Sequence, residues 1–289
     1  EVEWRHFRPG RHAVGRRQFE FREVEPLTLK GKERPVPAFA LVAVRDDPDP
    51  VRGVDEFERV LVGRDAEAAV LHDAGIEALA GRGRVVSIVG EPGVGKSRLV
   101  SEFMRHLPDD AARCLRASCL SYTTRVPYYL FRELFRAWTG AGPMDESDVV
   151  ATELRAAVDA AGRGLRQWEP YLRAFMSPTD IAATEPIANV DPQTRQRLTD
   201  RAILETVRVL AQDAPLILTC DDLHWIDEAS ERVLGHLVRQ VGDTPLLVLA
   251  IYRQEFDPDW PSAPWTQAPL STLGDADARE LVSALLGGV

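Results

Sequence analysis

Eight residues constrain this chain more than any others. Gly90-Glu91-Pro92-Gly93-Val94-Gly95-Lys96-Ser97 fit the spacing G-x-x-x-x-G-K-[ST]. They follow a short apolar run, Val85 to Val89, and precede a segment with helical periodicity from Ser97 to about Leu107. Glycines in such a turn let the backbone curl until successive N–H groups point inward and form an anion nest. A helix starting there adds the positive end of its dipole. Lysine then supplies a compact ammonium for the β- and γ-phosphates, and the serine hydroxyl can ligate Mg2+. Composition sharpens this reading. Of 35 basic residues only three are lysines, Lys30, Lys32 and Lys96, so lysine is not the chain's ordinary surface cation. A planar guanidinium would not fit the nest where Lys96 stands. The loop reads as a nucleotide site made of Gly90, Glu91, Pro92, Gly93, Val94, Gly95, Lys96 and Ser97.

The surrounding pattern supplies the fold class. After residue 60, apolar runs bounded by turn residues alternate with helix-period segments. Strands are expected over 85–89, 113–119, 216–220, 246–251 and about 266–270. Helices are expected over 65–80, 97–107, 128–139, 146–161, 195–212, 229–241 and 275–286. Runs apolar throughout suit strands buried on both faces, and strand–helix alternation implies parallel pairing. The reading is an α/β fold: a parallel sheet flanked by helices, preceded by a short β-rich segment with strands near 19–24 and 38–44. Asp46-Asp47-Pro48-Asp49-Pro50 reads as a linker. The aromatic stripe Tyr128, Tyr129, Phe131, Phe135 and Trp138 reads as packing against the sheet, not as a base-stacking platform.

A phosphate loop needs an acid to complete a metal shell. Leu216 to Cys220 is an apolar strand that runs into Asp221-Asp222, which places both carboxylates at the carboxyl edge of the sheet, where ligands of open α/β sheets bind. Asp221 is expected to hold Mg2+, and Asp222 to orient or deprotonate an attacking water. The next strand ends in Ala250-Ile251-Tyr252-Arg253, so Arg253 is expected to emerge beside Asp221 as a donor to the γ-phosphate. Arg195, Arg197 and Arg201 read as exposed helix-face arginines ahead of the acidic strand, rather than as fingers towards a neighbouring subunit.

Several classes are excluded. The longest apolar run, Leu246 to Tyr252, has seven residues, against the ~20 of a membrane-spanning helix. Three cysteines, Cys114, Cys119 and Cys220, lack zinc-ligand spacing, which favours a reducing, cytoplasmic setting. With 35 Lys+Arg against 45 Asp+Glu the net charge is −10, so direct nucleic-acid binding is not expected. The arginines at 5–17 read as a solvated end. A chain that opens on Glu1 reads as a piece of a longer protein.

Taken together, Leu61-Val62-Gly63-Arg64-Asp65, the run 90–99, Asp221 to Asp227 (DDLHWID) and Ala250 to Arg253 (AIYR) resemble the signal-transduction (STAND), Orc1-like AAA ATPases. The resemblance spans 61–253. It implies an AAA-like P-loop NTPase fold in which Val62, Gly63 and Arg64 help seat the adenine and ribose end of ATP. It also implies that Gly90 to Ser97 is the Walker A loop, Asp221 and Asp222 the paired acids and Arg253 the sensor. His224, Trp225 and Asp227 are expected to support that side structurally. Residues 19–42 resemble the last strands of a class III adenylate/guanylate cyclase domain, with its Leu-Lys-Gly-Lys turn at 29–32. That family's metal aspartates lie upstream, so no cyclase activity is expected of this chain.

The implied organisation is 1–45 as a cyclase-like remnant, 46–60 as linker, 61–272 as ATPase core and 273–289 as the start of a truncated helical lid. The implied function is an ATP-binding, slowly hydrolysing Mg2+-dependent switch in a cyclase-linked signalling protein. Its expected partners are ATP or ADP, a cyclase domain in cis and further copies of itself, without membrane or direct nucleic acid. The alternative is the ATPase core of a LuxR-type transcription regulator.

Overall fold

A computed structural model describes residues 19–27 and 36–44 and, between 61 and 285, all but 109, 143–144, 178–186, 188–189 and 261–263. The arginines at 5–17, the turn bearing Lys30 and Lys32 and the linker at 46–60 lie outside the described residues. The chain divides into two compact units, and the larger is Leu61–Val282.

In the smaller unit β1 (Phe19–Leu27) pairs antiparallel with β2 (Val36–Val44), in a register that runs from Phe19↔Val44 to Leu27↔Val36. Each strand is longer than the alternating residues alone had indicated.

The larger unit is the expected α/β layer structure. Helix α1 (Asp65–Leu79) leads into β3 (Arg84–Gly90), α2 (Lys96–His106) and β4 (Arg113–Ser118). Four helices follow: α3 (Tyr129–Thr139), α4 (Ser147–Ala161), α5 (Arg163–Arg166) and α6 (Glu169–Met176). Then come α7 (Pro192–Asp213), β5 (Leu216–Asp221), α8 (Glu228–Arg239), β6 (Leu246–Tyr252), β7 (Trp265–Leu270) and α9 (Asp275–Leu285). The sheet order is β4-β5-β6-β3-β7, and every adjacent pair is parallel.

Side-chain parity builds two cores, one on each face of the sheet. Leu216, Leu218 and Cys220 of β5 and Leu246, Val248 and Ala250 of β6 pack with α3, α7 and α8. Ile217, Leu247, Leu249 and Ile251 face the other way, onto Leu71 of α1 and Leu99, Val100 and Phe103 of α2. All six residues of β5 and all seven of β6 are buried, which is why these runs read as continuously apolar instead of alternating. The aromatic stripe packs as expected: Phe131 and Phe135 are fully buried, and Phe135 stands edge-on to Trp138 at 5.7 Å and to Phe175 at 5.4 Å.

Three helices of the larger unit differ from the sequence reading. Helix α7 begins three residues earlier than Arg195: Asp191 caps it by accepting from the Thr194 N–H at 3.0 Å, and Pro192 occupies the first turn. The short helices α5 and α6 had no counterpart, because four and eight residues are too few for a helical period to stand out.

Candidate functional site

Strand order places the expected site residues at one sheet edge. Because β6 lies between β3 and β5, the residue that leaves β6 stands between the glycine loop and the paired acids. Parity then selects the face. Asp221 continues the row of Ile217 and Thr219, and Arg253 continues that of Leu249 and Ile251. Both rows share the face covered by α2, the helix that begins at Lys96.

The loop itself is shaped by glycine. Gly95 caps α2 at φ +101° and Gly93 sits at φ +84°, conformations that strain residues with a Cβ. The first N–H groups of α2 have no intrahelical partners and turn towards the loop. Lys96 folds back over it, its Nζ donating to the carbonyls of Gly90 at 2.6 Å and Glu91 at 2.9 Å. Burial lowers the Lys96 pKa from 10.5; Arg253 pushes the same way, while Asp222, Glu91 and Glu255 oppose. A cationic lysine, the Asp222 carboxylate and the Arg253 guanidinium therefore lie within electrostatic reach of one another.

Asp222 is exposed and adopts φ +55°, a left-handed conformation that aspartate tolerates better than most residues, and it starts the single turn Leu223–Trp225. Arg253 lies 3.9 Å from Glu255. Ser97 is exposed at the start of α2.

Asp221 is buried, with a partner that the sequence reading did not include. Its Oδ2 accepts from Arg116 Nε at 2.6 Å. Arg116 comes from β4, where Leu115 and Ala117 face the opposite core, so parity turns it to the Asp221 side. No local pattern announces the pair, because the two residues lie 105 positions apart and meet only when β4 and β5 align.

The Val62-Gly63-Arg64 segment sits at the start of α1. Val62 is buried and Gly63 takes φ +64°. Arg64 is 6% exposed, and its guanidinium donates to Val94 O at 3.2 Å, to Ser271 O and to Glu67 Oε1 at 3.1 Å. It ties the glycine loop to the chain leaving β7.

The three residues after the paired acids divide. Asp227 is structural, as expected: Oδ1 accepts from Tyr128 N at 2.8 Å and Ser230 N at 3.0 Å, and Oδ2 from Tyr129 N at 3.0 Å. It thereby caps α8 and holds the entry to α3. Trp225 is 37% exposed and lies against His224, with ring centroids 5.2 Å apart. His224 is half-buried beside Trp225. Both its ring nitrogens are buried without a hydrogen-bond partner among the described residues. Burial lowers its pKa, as does Arg253 nearby.

Of the three helix-face arginines, Arg197 donates to Thr194 Oγ1 at 2.9 Å and Arg201 lies 5.3 Å from the Trp168 ring. Arg195 turns into a separate cavity on the other face of the sheet. Among the described residues no helix is long and apolar enough to cross a membrane.

Comparison with known proteins adds to this geometry. The family model described as an AAA ATPase domain matches residues 60–249, about two thirds of the chain. An uncharacterized protein of Rhizobium meliloti (strain 1021) is 27% identical over 241 residues, covering 80% of this chain and 23% of that protein. The chain thus spans about a quarter of that curated relative. Among solved structures, Drosophila ORC bound to DNA aligns at a TM-score of 0.44 and 14% identity, over 98% of this chain and 60% of the other. A signal transduction ATPase with numerous domains (STAND) from Pyrococcus horikoshii, with a tetratricopeptide repeat sensor, aligns at 0.38 and 14%, over 78% and 25% respectively.

Proposed function

The chain belongs to the AAA ATPase domain family, and on that premise we propose that residues 61–272 bind ATP with Mg2+ and hydrolyse it slowly, as the switch module of a cyclase-linked signalling protein. One observation carries this reading: the strand order sets Arg253, at the end of β6, between the glycine loop that bears Lys96 and the paired acids Asp221 and Asp222. The residues suit a nucleoside triphosphate. The loop from Gly90 to Ser97 offers backbone N–H groups and a helix start to the phosphates. Lys96 has only backbone carbonyls as hydrogen-bond acceptors, so its ammonium can be drawn to phosphate oxygens without breaking an ion pair.

Ser97 and Asp221 would hold Mg2+, which neutralises charge on the β- and γ-phosphates when bound. Asp221 must first exchange the Arg116 guanidinium for the metal shell, so Arg116 acts as a resident counter-ion. Asp222, exposed and next in sequence, orients or deprotonates the attacking water. Arg253 donates to the γ-phosphate from the strand between them. Arg64, whose guanidinium donates to Val94 O and Ser271 O, would brace the loop, while Val62, Gly63 and Arg64 together would seat the adenine and ribose end. Residues 273–289 would begin the lid.

The cyclase link rests on residues 19–42, whose two strands pair as an antiparallel hairpin. Cyclase metal aspartates in the sequence upstream of Glu1 would support it, and a helix-turn-helix far downstream would favour a LuxR-type regulator. The decisive experiment on the site is ATP binding by this chain beside Lys96→Ala and Asp221→Asn. Lys96→Ala is expected to abolish Mg2+-dependent binding; unchanged affinity would sink the assignment. Asp222→Asn should spare binding and depress turnover.

A further inference from the structure

On the sheet face opposite α2, a cavity of about 760 Å³ opens between α3, α6, α7 and α8. Its volume lies within the range of small-molecule sites. We propose that this cavity binds a small organic anion, a carboxylate or phosphate monoester carried on a flat apolar body.

Charge is the first reason. Arg132, Arg195 and Arg232 converge on the cavity, in a chain whose net charge is −10. Among the described residues two of them have no acidic hydrogen-bond partner. Arg132 donates only to the carbonyls of Phe175 at 3.1 Å and Pro127 at 3.2 Å. Arg195 donates to Val190 O at 3.0 Å, and its Nε is buried without a partner among the described residues. Arg232 differs, being paired with Asp200 at 2.9 Å. Half-burying cations without counter-ions costs free energy that an anion entering the cavity offsets. The wall acids make no hydrogen bond to Arg132 or Arg195 among the described residues: Asp227 is turned to three backbone N–H groups, and Glu228 is exposed. Burial also lowers the Arg132 pKa, with Arg136 adding to the effect and Glu133 and Asp227 opposing it from a distance.

Shape is the second reason. Phe175 and Tyr128 form an apolar corner, their rings edge-to-face at 6.2 Å. Guanidiniums recognise planar carboxylate and tetrahedral phosphate oxygens through paired N–H donors, while an aromatic corner selects a flat body. The Tyr128 hydroxyl donates to Asp200 at 2.7 Å and accepts from Arg232 at 3.3 Å, so it is fixed in place. Concavity favours a small molecule over an extended polymer.

The test uses the whole chain, with phenyl phosphate and phenylacetate as probes, inorganic phosphate as the control and calorimetry as the readout. At least one aromatic probe is expected to bind at one site, about tenfold more tightly than inorganic phosphate, and the tighter head group identifies the natural one. Arg132→Gln and Arg195→Gln should each weaken it at least about tenfold, Arg195→Lys less, and Lys96→Ala not at all. Circular dichroism melts check that each variant is folded, and Arg195→Lys keeps the cation if an Arg→Gln change lowers stability. Binding lost in Lys96→Ala would assign the probe to the ATP site and overturn the proposal. So would binding indifferent to both Arg→Gln changes in folded protein, or no binding by either aromatic probe at millimolar concentration. Because the two sites lie on opposite sheet faces, failure here leaves the ATP reading intact.

Discussion

Single side chains at the sheet edge carry the pH behaviour. The Lys96 ammonium is the group offered to phosphate, and burial has lowered its pKa below 10.5. ATP affinity is therefore expected to be full at neutral pH and to fall as pH rises through that lowered value, earlier than an unperturbed lysine would allow; affinity measured across the alkaline range checks this. His224 shifts in the same direction for a related reason, burial beside Arg253. Its neutral form is favoured in the folded state, so its contribution to stability is present above the ordinary value of 6.5 and is lost as pH falls through the lowered one. His224→Gln should flatten the acid limb of a stability–pH curve, and an unchanged limb would remove His224 from that role. Arg116 makes a third expectation at this scale. With Arg116→Gln, Asp221 no longer exchanges a guanidinium for metal, so less Mg2+ should be needed for half-maximal ATP binding; an unchanged requirement would show that the pair does not compete.

Among the described helices, α7 and α8 start on side-chain caps, Asp191 and Asp227. Asp227 caps α8 and at the same time accepts the Tyr128 and Tyr129 N–H groups at the start of α3, where Tyr128 takes φ +60°. Asp227→Ala would leave the Tyr128 and Ser230 N–H groups without an acceptor and the Tyr129 N–H with the Val126 carbonyl at 3.3 Å, and a loss of about 2 kcal/mol is expected in urea unfolding. Asp227→Asn, which keeps one carbonyl acceptor, should cost less. The same residue shows how local signals work. Asp227 followed by Glu228 and Ala229 is a legible helix start, and so is Asp191-Pro192 ahead of α7. A reading based on apolar periodicity passes over both, because caps lie outside the apolar face.

At the scale of the molecule, Arg64 joins parts that are distant in sequence: Val94 in the glycine loop and Ser271 after β7. Arg64→Ala should weaken ATP binding several-fold by loosening the loop and lower stability by about 2 kcal/mol, read from ligand titration and urea unfolding. The sequence by itself determined the α/β class, the glycine loop with its lysine, and the acids and arginine at strand ends, because each depends on a local period or a contiguous motif. Alternation of strand and helix also determined that the sheet is parallel. Strand order was decided only by tertiary structure. It puts β6 between the loop and the acids and so brings Arg253 between them. Tertiary structure alone also decided that Asp221 meets Arg116, that Arg64 serves the loop's backbone, and that Arg132, Arg195 and Arg232 face one cavity. These contacts join residues on different strands and helices, and no spacing along the chain encodes which faces will meet once the two cores have packed.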